Sequence, residues 1–265
     1  MRVFISADIE GTAFTALWEE TEVGNTLYPA AARQMTAEVK AACEGAIAGG
    51  ADYILVNDAH DAAVNVDIHE LPECAELIRG WAGTPMSMVE GVDESFDAAM
   101  FIGYHSAAGR CGNPLSHTFN TKTTSITING LVCSEFLLFS WACALKGVPT
   151  VLLSGDQMLL DDSKDLHPML QTVPTKVGEG GMVRCTHPKV TCNRIREAAK
   201  AALEQDLSKA RITLPEHFVF EVSFKEHKFA ARASNYPGCV RVDDRTIRFE
   251  TDDYYELLRC RQFVL

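Results

Sequence analysis

The stretch that decides the fold is VFISADIEG, residues 3–11, in which a mostly apolar run leads directly into Asp8 and Glu10. The pattern recurs twice: the apolar residues 53–56 are followed by NDAH, and residues 98–103 are followed by YH. In an open α/β sheet, ligands bind at the carboxyl ends of the strands, because the loops there present side chains from a rigid scaffold. The three stretches therefore predict one site at this edge of a sheet.

Helical and strand-like segments alternate outward from the first strand. A helix is predicted over 29–48, because Pro29 opens it, apolar residues recur every four positions, and two glycines follow it. The strands on either side of it form a β-α-β unit, which makes them parallel. Further segments are predicted as strands near Met100, over 125–128 and over 150–154, and as a helix over 134–146. Because the strand-like runs are continuously apolar, we expect a doubly wound α/β fold with a mostly parallel sheet and helices on both faces.

A glycine-rich stretch, residues 178–181, indicates a boundary between two domains. Residues 1–180 are predicted to form the catalytic, metal-binding α/β domain. Residues 181–265 are predicted to form a smaller C-terminal α+β portion that acts as a lid or in oligomer contacts. Its predicted elements are a helix, a strand, a hairpin and a closing helix over 189–207, 218–224, 239–250 and 253–263.

Composition excludes several classes of function. The net charge of −12 over 265 residues argues against nucleic acid as a partner, because phosphates are bound by clustered Lys and Arg. No window approaches the roughly 20 apolar residues of a membrane span, so no membrane partner is expected. Nine scattered cysteines without a C-x-x-C pair, and an amino terminus without a signal-peptide pattern, favour a cytoplasmic protein with reduced thiols.

The polar residues at the strand ends are a plausible ligand set for a metal. Asp8 and Glu10 are two residues apart and can share one face, and a cation between them would relieve their repulsion. They could equally be two acids in a solvated loop. His60 and His105 follow equivalent strands, and carboxylates with imidazoles are the ligands of hydrolytic metal centres. The histidines without such placement are predicted to be surface or structural: His69, His167, His187, His217 and His227.

Two further residues have weaker signals of their own. Glu135 lies in the first turn of a predicted helix, where an acid commonly complements the helix dipole. His117 lies in a loop, and next to a metal pair it could act as a general acid or base or stabilise an oxyanion.

Two other functions stay open on these residues. The stretch DIEGT, residues 8–12, is similar to the D-x-D-G-T loop of haloacid-dehalogenase-type magnesium phosphatases, in which Asp8 would be the nucleophile. Asp156 with Asp161 and Asp162 would then bind magnesium. Glu10 departs from that loop by one methylene, and the phosphatase hypothesis leaves the histidines without a role. The other alternative is a non-catalytic zinc-binding protein with a closed four-ligand site.

Five short blocks together resemble the D-aminopeptidase family of dizinc metallopeptidases of bacterial dipeptide-transport operons. They are residues 6–11, 56–60, 87–91, 103–105 and 116–117. The resemblance implies two zinc ions per subunit, with the ligands Asp8, Glu10, His60, His105 and Glu135. In the implied arrangement Asp8 bridges the ions, Glu10 and Glu135 complete one site, and the two histidines complete the other.

The resemblance also implies an activity and an assembly. His117 would be the catalytic residue of an aminopeptidase that removes an N-terminal D-amino acid from short peptides. The subunits would form a ring-like homo-oligomer, a decamer, whose active sites open into a central channel.

Overall fold

The computed structural model, which describes residues 1–265, contains twelve strands in two sheets and six α-helices. The strands are β1 (Arg2–Ala7), β2 (Tyr53–Asp58), β3 (Ala75–Ile78), β4 (Ala98–Tyr104), β5 (Thr123–Ile128), β6 (Leu131–Val132), β7 (Thr150–Asp156), β8 (Gln171–Glu179), β9 (Met182–Cys185), β10 (Phe218–Phe224), β11 (Val240–Arg241) and β12 (Thr246–Thr251). The helices are α1 (Tyr28–Ala48), α2 (Glu135–Leu145), α3 (Gln157–Ser163), α4 (Pro188–Leu203), α5 (His227–Ala233) and α6 (Tyr254–Val264). None of the helices combines the length and the hydropathy that a membrane span requires.

The first sheet has the order β3-β2-β1-β4-β7-β8-β9, and every neighbouring pair is parallel except β8 with β9. From β1 the chain builds outward to β2 and β3, and then returns to add β4 on the other side of β1. The strand order thus reverses between β1 and β4, and ligands bind at such a switch point in open α/β sheets. The predicted doubly wound fold is confirmed, and its switch point lies where Asp8 and His105 emerge.

Apolar layers cover both faces of this sheet, as the continuous apolar runs predict. Alternate residues of β1 point to opposite faces: Val3 and Ile5 belong to the core under α1 and α4, whereas Phe4 belongs to the core that includes α2. Burial on both faces fixes the register of the strand, because a shift by one residue would exchange the two sets of side chains. The strand ends, and the residues that follow them, are held in place by this packing.

The second sheet changes the expected division of the chain. Its order is β11-β12-β10-β5-β6, so β5 and β6 from the first half of the chain pair with strands from the last third. Conversely, β9 and α4 belong to the first sheet and its core. Of the glycines expected at a domain boundary, Gly178 lies in β8, and Gly180 and Gly181 form the β8–β9 hairpin turn, with Gly180 at a φ of +58°. Sheet membership therefore does not divide the chain at residue 180, because β5 pairs with β10 and β8 pairs with β9 across that position.

His167 shows how burial affects the charge of a residue outside any site. It is 3% exposed, neither ring nitrogen has a hydrogen-bond partner, and its ring contacts the edge of Phe136 at a centroid distance of 5.7 Å. Burial lowers the pKa of His167 to about 4. The folded protein therefore holds this ring neutral, whereas the unfolded chain binds a proton below about pH 6.5.

We expect the free energy of unfolding to fall by about 3 kcal/mol as the pH falls from about 6.5 to about 4, because the unfolded chain gains a proton that the folded protein excludes. His167→Phe should remove that loss, because the unfolded variant has no proton to gain at this position. The measurement is urea unfolding of both metal-free proteins at pH 7 and pH 4. An equal fall in the free energy of unfolding for both proteins would show that His167 does not contribute.

Candidate metal centre

Three carboxylates and two imidazoles converge at the carboxyl edge of the first sheet. Asp8 directly follows β1, His60 lies two residues beyond β2, His105 directly follows β4, and Glu135 is the first residue of α2. Glu10, in the loop after β1, is the fifth. All five are buried, with at most 9% of any of them exposed. The strand-end pattern of the sequence thus corresponds to one cluster.

Glu135 reaches the cluster because of how its helix starts. Ser134 caps α2, its hydroxyl accepting a hydrogen bond from the Leu137 N–H at 3.1 Å. One carboxylate oxygen of Glu135 accepts the Phe119 N–H at 2.7 Å, and the other lies 3.6 Å from His105 Nε2. A first-turn acid is common for dipole reasons, so only the fold, together with the resemblance, marks this one as a ligand candidate.

The five residues form two sets that share Asp8. Its Oδ1 lies 3.4 Å from His60 Nδ1, and its Oδ2 lies 3.5 Å from His105 Nε2. Glu10 joins the first set, with Oε2 3.0 Å from His60 Nδ1, and Glu135 joins the second. Within each set the ligand atoms lie within 4.8 Å of one another. A carboxylate that presents one oxygen to each set has the arrangement of a bridging ligand.

The grouping of the remaining four candidate ligands differs from the one that the resemblance implies. Glu10 stands with His60, and His105 stands with Glu135, rather than acid with acid and histidine with histidine. Strand order explains the difference. His60 follows β2 and His105 follows β4, which lie on opposite sides of β1, and α2 packs against β4. Each set then holds one imidazole and two carboxylates, counting Asp8 in both.

The ring hydrogen bonds fix which nitrogen of each histidine faces the cluster. His60 Nε2 donates to the Thr21 carbonyl at 2.9 Å, which leaves the Nδ1 lone pair toward Asp8 and Glu10. His105 Nδ1 donates to its neighbouring Ser106 carbonyl at 3.0 Å, which leaves Nε2 toward the cluster. Such outer hydrogen bonds orient histidines that bind metals.

Unpartnered atoms at the centre of the cluster indicate that it is built for cations. Asp8 Oδ2, Glu10 Oε2 and His105 Nε2 are all buried without a hydrogen-bond partner. Buried polar atoms are normally satisfied, and unpaired buried charges cost free energy. Two imidazole nitrogens with carboxylate oxygens are donors that suit zinc. The donor set therefore fits a pair of zinc ions, one for each set.

The pKa shifts inside the cluster also indicate a cation site. Burial, and then the charge of Glu10, raise the pKa of Asp8 well above its usual range. Although burial opposes ionisation of Glu10, the nearby His60 lowers the pKa of that carboxyl well below its usual range. Burial also disfavours a charged His105, but the Glu135 carboxylate raises the pKa of that imidazole to about 10. Protons therefore compete with cations here, so metal binding releases protons.

His117 lies beside the second set, with one nitrogen free. Its Nδ1 donates to the Leu115 carbonyl at 2.8 Å, and its Nε2 lies 3.7 Å from Glu135 Oε1. The ring stacks on His105 at a centroid distance of 4.4 Å and contacts the edge of Trp18 at 5.2 Å. Burial, and then the charge of His105, lower the pKa of His117. A neutral ring with an available lone pair can accept a proton from a reacting group.

The loop that carries Glu10 is held by residues that the sequence analysis did not identify. Lys176, on β8 and 2% exposed, donates from its ammonium to the carbonyls of Glu10 and Thr15. The Asn113 side chain donates to the same Glu10 carbonyl at 2.9 Å. A buried lysine in a strand has no local sequence signal, because its partners are backbone atoms more than 160 residues away.

The acids that the phosphatase hypothesis requires are used elsewhere. Asp156 is the N-cap of α3, and it accepts the Leu159 N–H at 3.0 Å and the Ser106 N–H at 2.7 Å. Asp162 pairs with Arg110 at 2.7 Å near the surface. Neither belongs to a group of potential metal ligands that includes Asp8.

A cavity of about 550 Å³ opens above the ligand cluster. We call it the acidic cavity, because five carboxylates line it: Asp8, Glu10, Glu22, Asp61 and Glu135. Trp18, Trp81 and His117 also line it. A site of this volume admits one or two amino-acid residues, and its charge favours a cationic group.

Three comparisons with known proteins point to one family. The family model for D-aminopeptidase matches residues 1–263. A D-aminopeptidase of Bacillus subtilis (strain 168) is 28% identical over 260 residues, which cover 97% of this chain and 93% of that protein. Among solved structures, the Zn-dependent D-aminopeptidase DppA from Bacillus subtilis, a self-compartmentalizing protease, matches with a TM-score of 0.92 and 26% identity, covering 100% of this chain and 96% of that one.

Proposed function

The chain belongs to the D-aminopeptidase family and is a metallo-aminopeptidase, and we propose that it uses two zinc ions to release an N-terminal D-amino acid from short peptides. The observation that supports the metal count is the position of Asp8, which presents one carboxylate oxygen to each of two ligand sets. The proposed ligands are Asp8, Glu10, His60, His105 and Glu135, and the proposed catalytic residue is His117.

Bound zinc would polarise the scissile carbonyl and supply hydroxide at neutral pH by lowering the pKa of water. The residues of the chain would bind the substrate and transfer the proton. Glu22 and Asp61 at the mouth of the acidic cavity attract the free amino group of the peptide. The free Nε2 of His117 accepts a proton during attack on the scissile carbonyl and returns it to the leaving amine. The stacked His105 and the edge of Trp18 hold the His117 ring in this orientation.

Assembly and location form a second part of the proposal. We infer a homo-oligomer, a decamer, in the cytoplasm, whose enclosed active sites accept short peptides and exclude folded proteins. Support comes from the structural relative, a self-compartmentalizing protease. The nine cysteines, all of them free thiols, support a reducing compartment.

The test combines metal analysis with a substrate comparison on the untagged protein, never exposed to a chelator. Plasma mass spectrometry should find about two zinc ions per subunit, which is the number of ligand sets that share Asp8. The protein should release alanine from D-alanyl-D-alanine much faster than from L-alanyl-L-alanine, and should leave p-nitrophenyl phosphate intact. Magnesium as the sole bound metal, together with phosphate release, would overturn the proposal in favour of the phosphatase.

A further inference from the structure

A second cavity adjoins the acidic cavity on the other side of the catalytic histidine. Its volume is about 570 Å³, and it shares Trp18, His117 and Thr121 with the acidic cavity. We call it the lysine cavity, because Lys225 is among the residues that line it. A peptide that places its scissile bond at His117 has one end in each cavity.

The charges of the two cavities are opposite. No carboxylate lines the lysine cavity, and Lys225 has the only full charge among its lining residues. The acidic cavity has five carboxylates and no Lys or Arg. A short peptide has the matching polarity, with an ammonium group at the amino end and a carboxylate at the other.

An unsatisfied hydroxyl next to Lys225 points to a ligand with hydrogen-bond acceptors. Thr123 lines the lysine cavity, is 4% exposed, and its Oγ1 has no hydrogen-bond partner. It lies beside Lys225 because β5 pairs Thr123 with Phe224, the residue before the lysine, and because the Lys225 N–H donates to the Lys122 carbonyl at 2.8 Å. A buried hydroxyl is normally paired, and a carboxylate would accept its hydrogen bond.

We propose that the lysine cavity binds the C-terminal part of the substrate and that Lys225 and Thr123 bind its free carboxylate. This inference rests on the proposed peptidase function and adds to it a length limit. Thr123 is two residues beyond Thr121, which lines both cavities, so the carboxylate site selects peptides whose carboxylate comes soon after the scissile bond. Dipeptides are therefore preferred over longer peptides and over substrates with a neutral leaving group.

The test compares D-alanyl-D-alanine with its C-terminal amide, which differ in one charge. For Lys225→Met we expect the KM for the dipeptide to rise about tenfold with little change in kcat, since one charge-assisted hydrogen bond is lost before the chemical step. The preference for the dipeptide over the amide should fall by a similar factor. Lys225→Arg should retain most of the preference, and Thr123→Val should lower it by a smaller factor.

Lys122→Met is the matched control. It removes the same charge from a lysine whose carbonyl accepts the Lys225 N–H, but which does not line the lysine cavity. The Lys122 ammonium instead lies 5.4 Å from the centre of the Phe229 ring. An equal fall in preference for Lys122→Met and Lys225→Met would reveal a general electrostatic effect and overturn the inference. An unchanged preference in Lys225→Met would also overturn it, and would leave the peptidase function intact. Failure of the zinc-loaded parent to cleave either substrate would instead overturn the proposed function, and this inference with it.

Discussion

Asp8→Ala should bind neither zinc ion and should have no measurable aminopeptidase activity. Asp8 is the only residue shared by the two ligand sets, so its removal leaves each set with one carboxylate and one imidazole. Two ligands are too few for a stable zinc site, in which three or four protein ligands are usual. Metal content per subunit, measured by plasma mass spectrometry after dialysis against micromolar zinc, checks the result.

Glu10→Ala is the informative partner variant, because Glu10 belongs to the His60 set and leaves the set of Asp8, His105 and Glu135 complete. This variant should retain about one zinc ion per subunit. The metal-free Asp8→Ala protein should be as stable as its metal-free parent, because burial and the charge of Glu10 already disfavour ionised Asp8 in the fold. One fully occupied site in Asp8→Ala would contradict the bridging role.

His117→Ala should retain both zinc ions and lose most of its turnover. The histidine contacts the cluster through Glu135 and through its stacking on His105, but it belongs to neither of the two sets that share Asp8. Loss of a general acid or base costs about 10²–10⁴ in rate, so we expect kcat to fall by that factor with little change in KM. Steady-state kinetics with D-alanyl-D-alanine, alongside metal analysis, make the comparison.

His69→Ala provides a control for removal of an exposed histidine outside the site. It should have the parent's kcat and metal content. The pH profile adds a second test, because the acidic limb of the parent should reflect the neutral, proton-accepting His117 and should be absent in His117→Ala. If His117→Ala loses zinc together with activity, His117 is a ligand, as its grouping with Glu10 and His105 would allow.

The strand-end residues were predictable from the sequence because their signal is local. An apolar run followed by Asp8, His60 or His105 marks a strand and the edge at which it ends, and a parallel sheet brings such ends together. The same rule also selects Asp156, which is the last residue of β7 but caps α3 instead. Asp8 and His105 follow the two strands at the switch point, whereas Asp156 ends a strand farther along the sheet. The position of the strand therefore distinguishes a candidate metal ligand from a helix cap.

What the sequence could not supply depends on contacts between distant residues. The ligand pairing follows from strand order, which sets His60 beside Glu10 and His105 beside Glu135. The role of Lys176 depends on carbonyls in a remote loop. The glycine-rich turn predicts a domain boundary at residue 180, whereas β5 pairs with β10 across about ninety residues of chain. Neither periodicity nor composition records such pairings.

Contacts between the middle and the last third of the chain, such as the pairing of β5 with β10, affect the order in which the two ligand sets form during synthesis. Asp8, Glu10 and His60 lie within the first 60 residues, and the Glu10 loop is held by Asn113 and by Lys176 on β8, so their set can form once β8 has been synthesised. The helix that begins with Glu135 packs against α6, and the Tyr254 hydroxyl donates to the Leu138 carbonyl at 2.7 Å. The second set is therefore expected to form only after α6 has been synthesised. We expect the two ions to be acquired in that order, so that incomplete chains hold a single zinc ion and remain inactive.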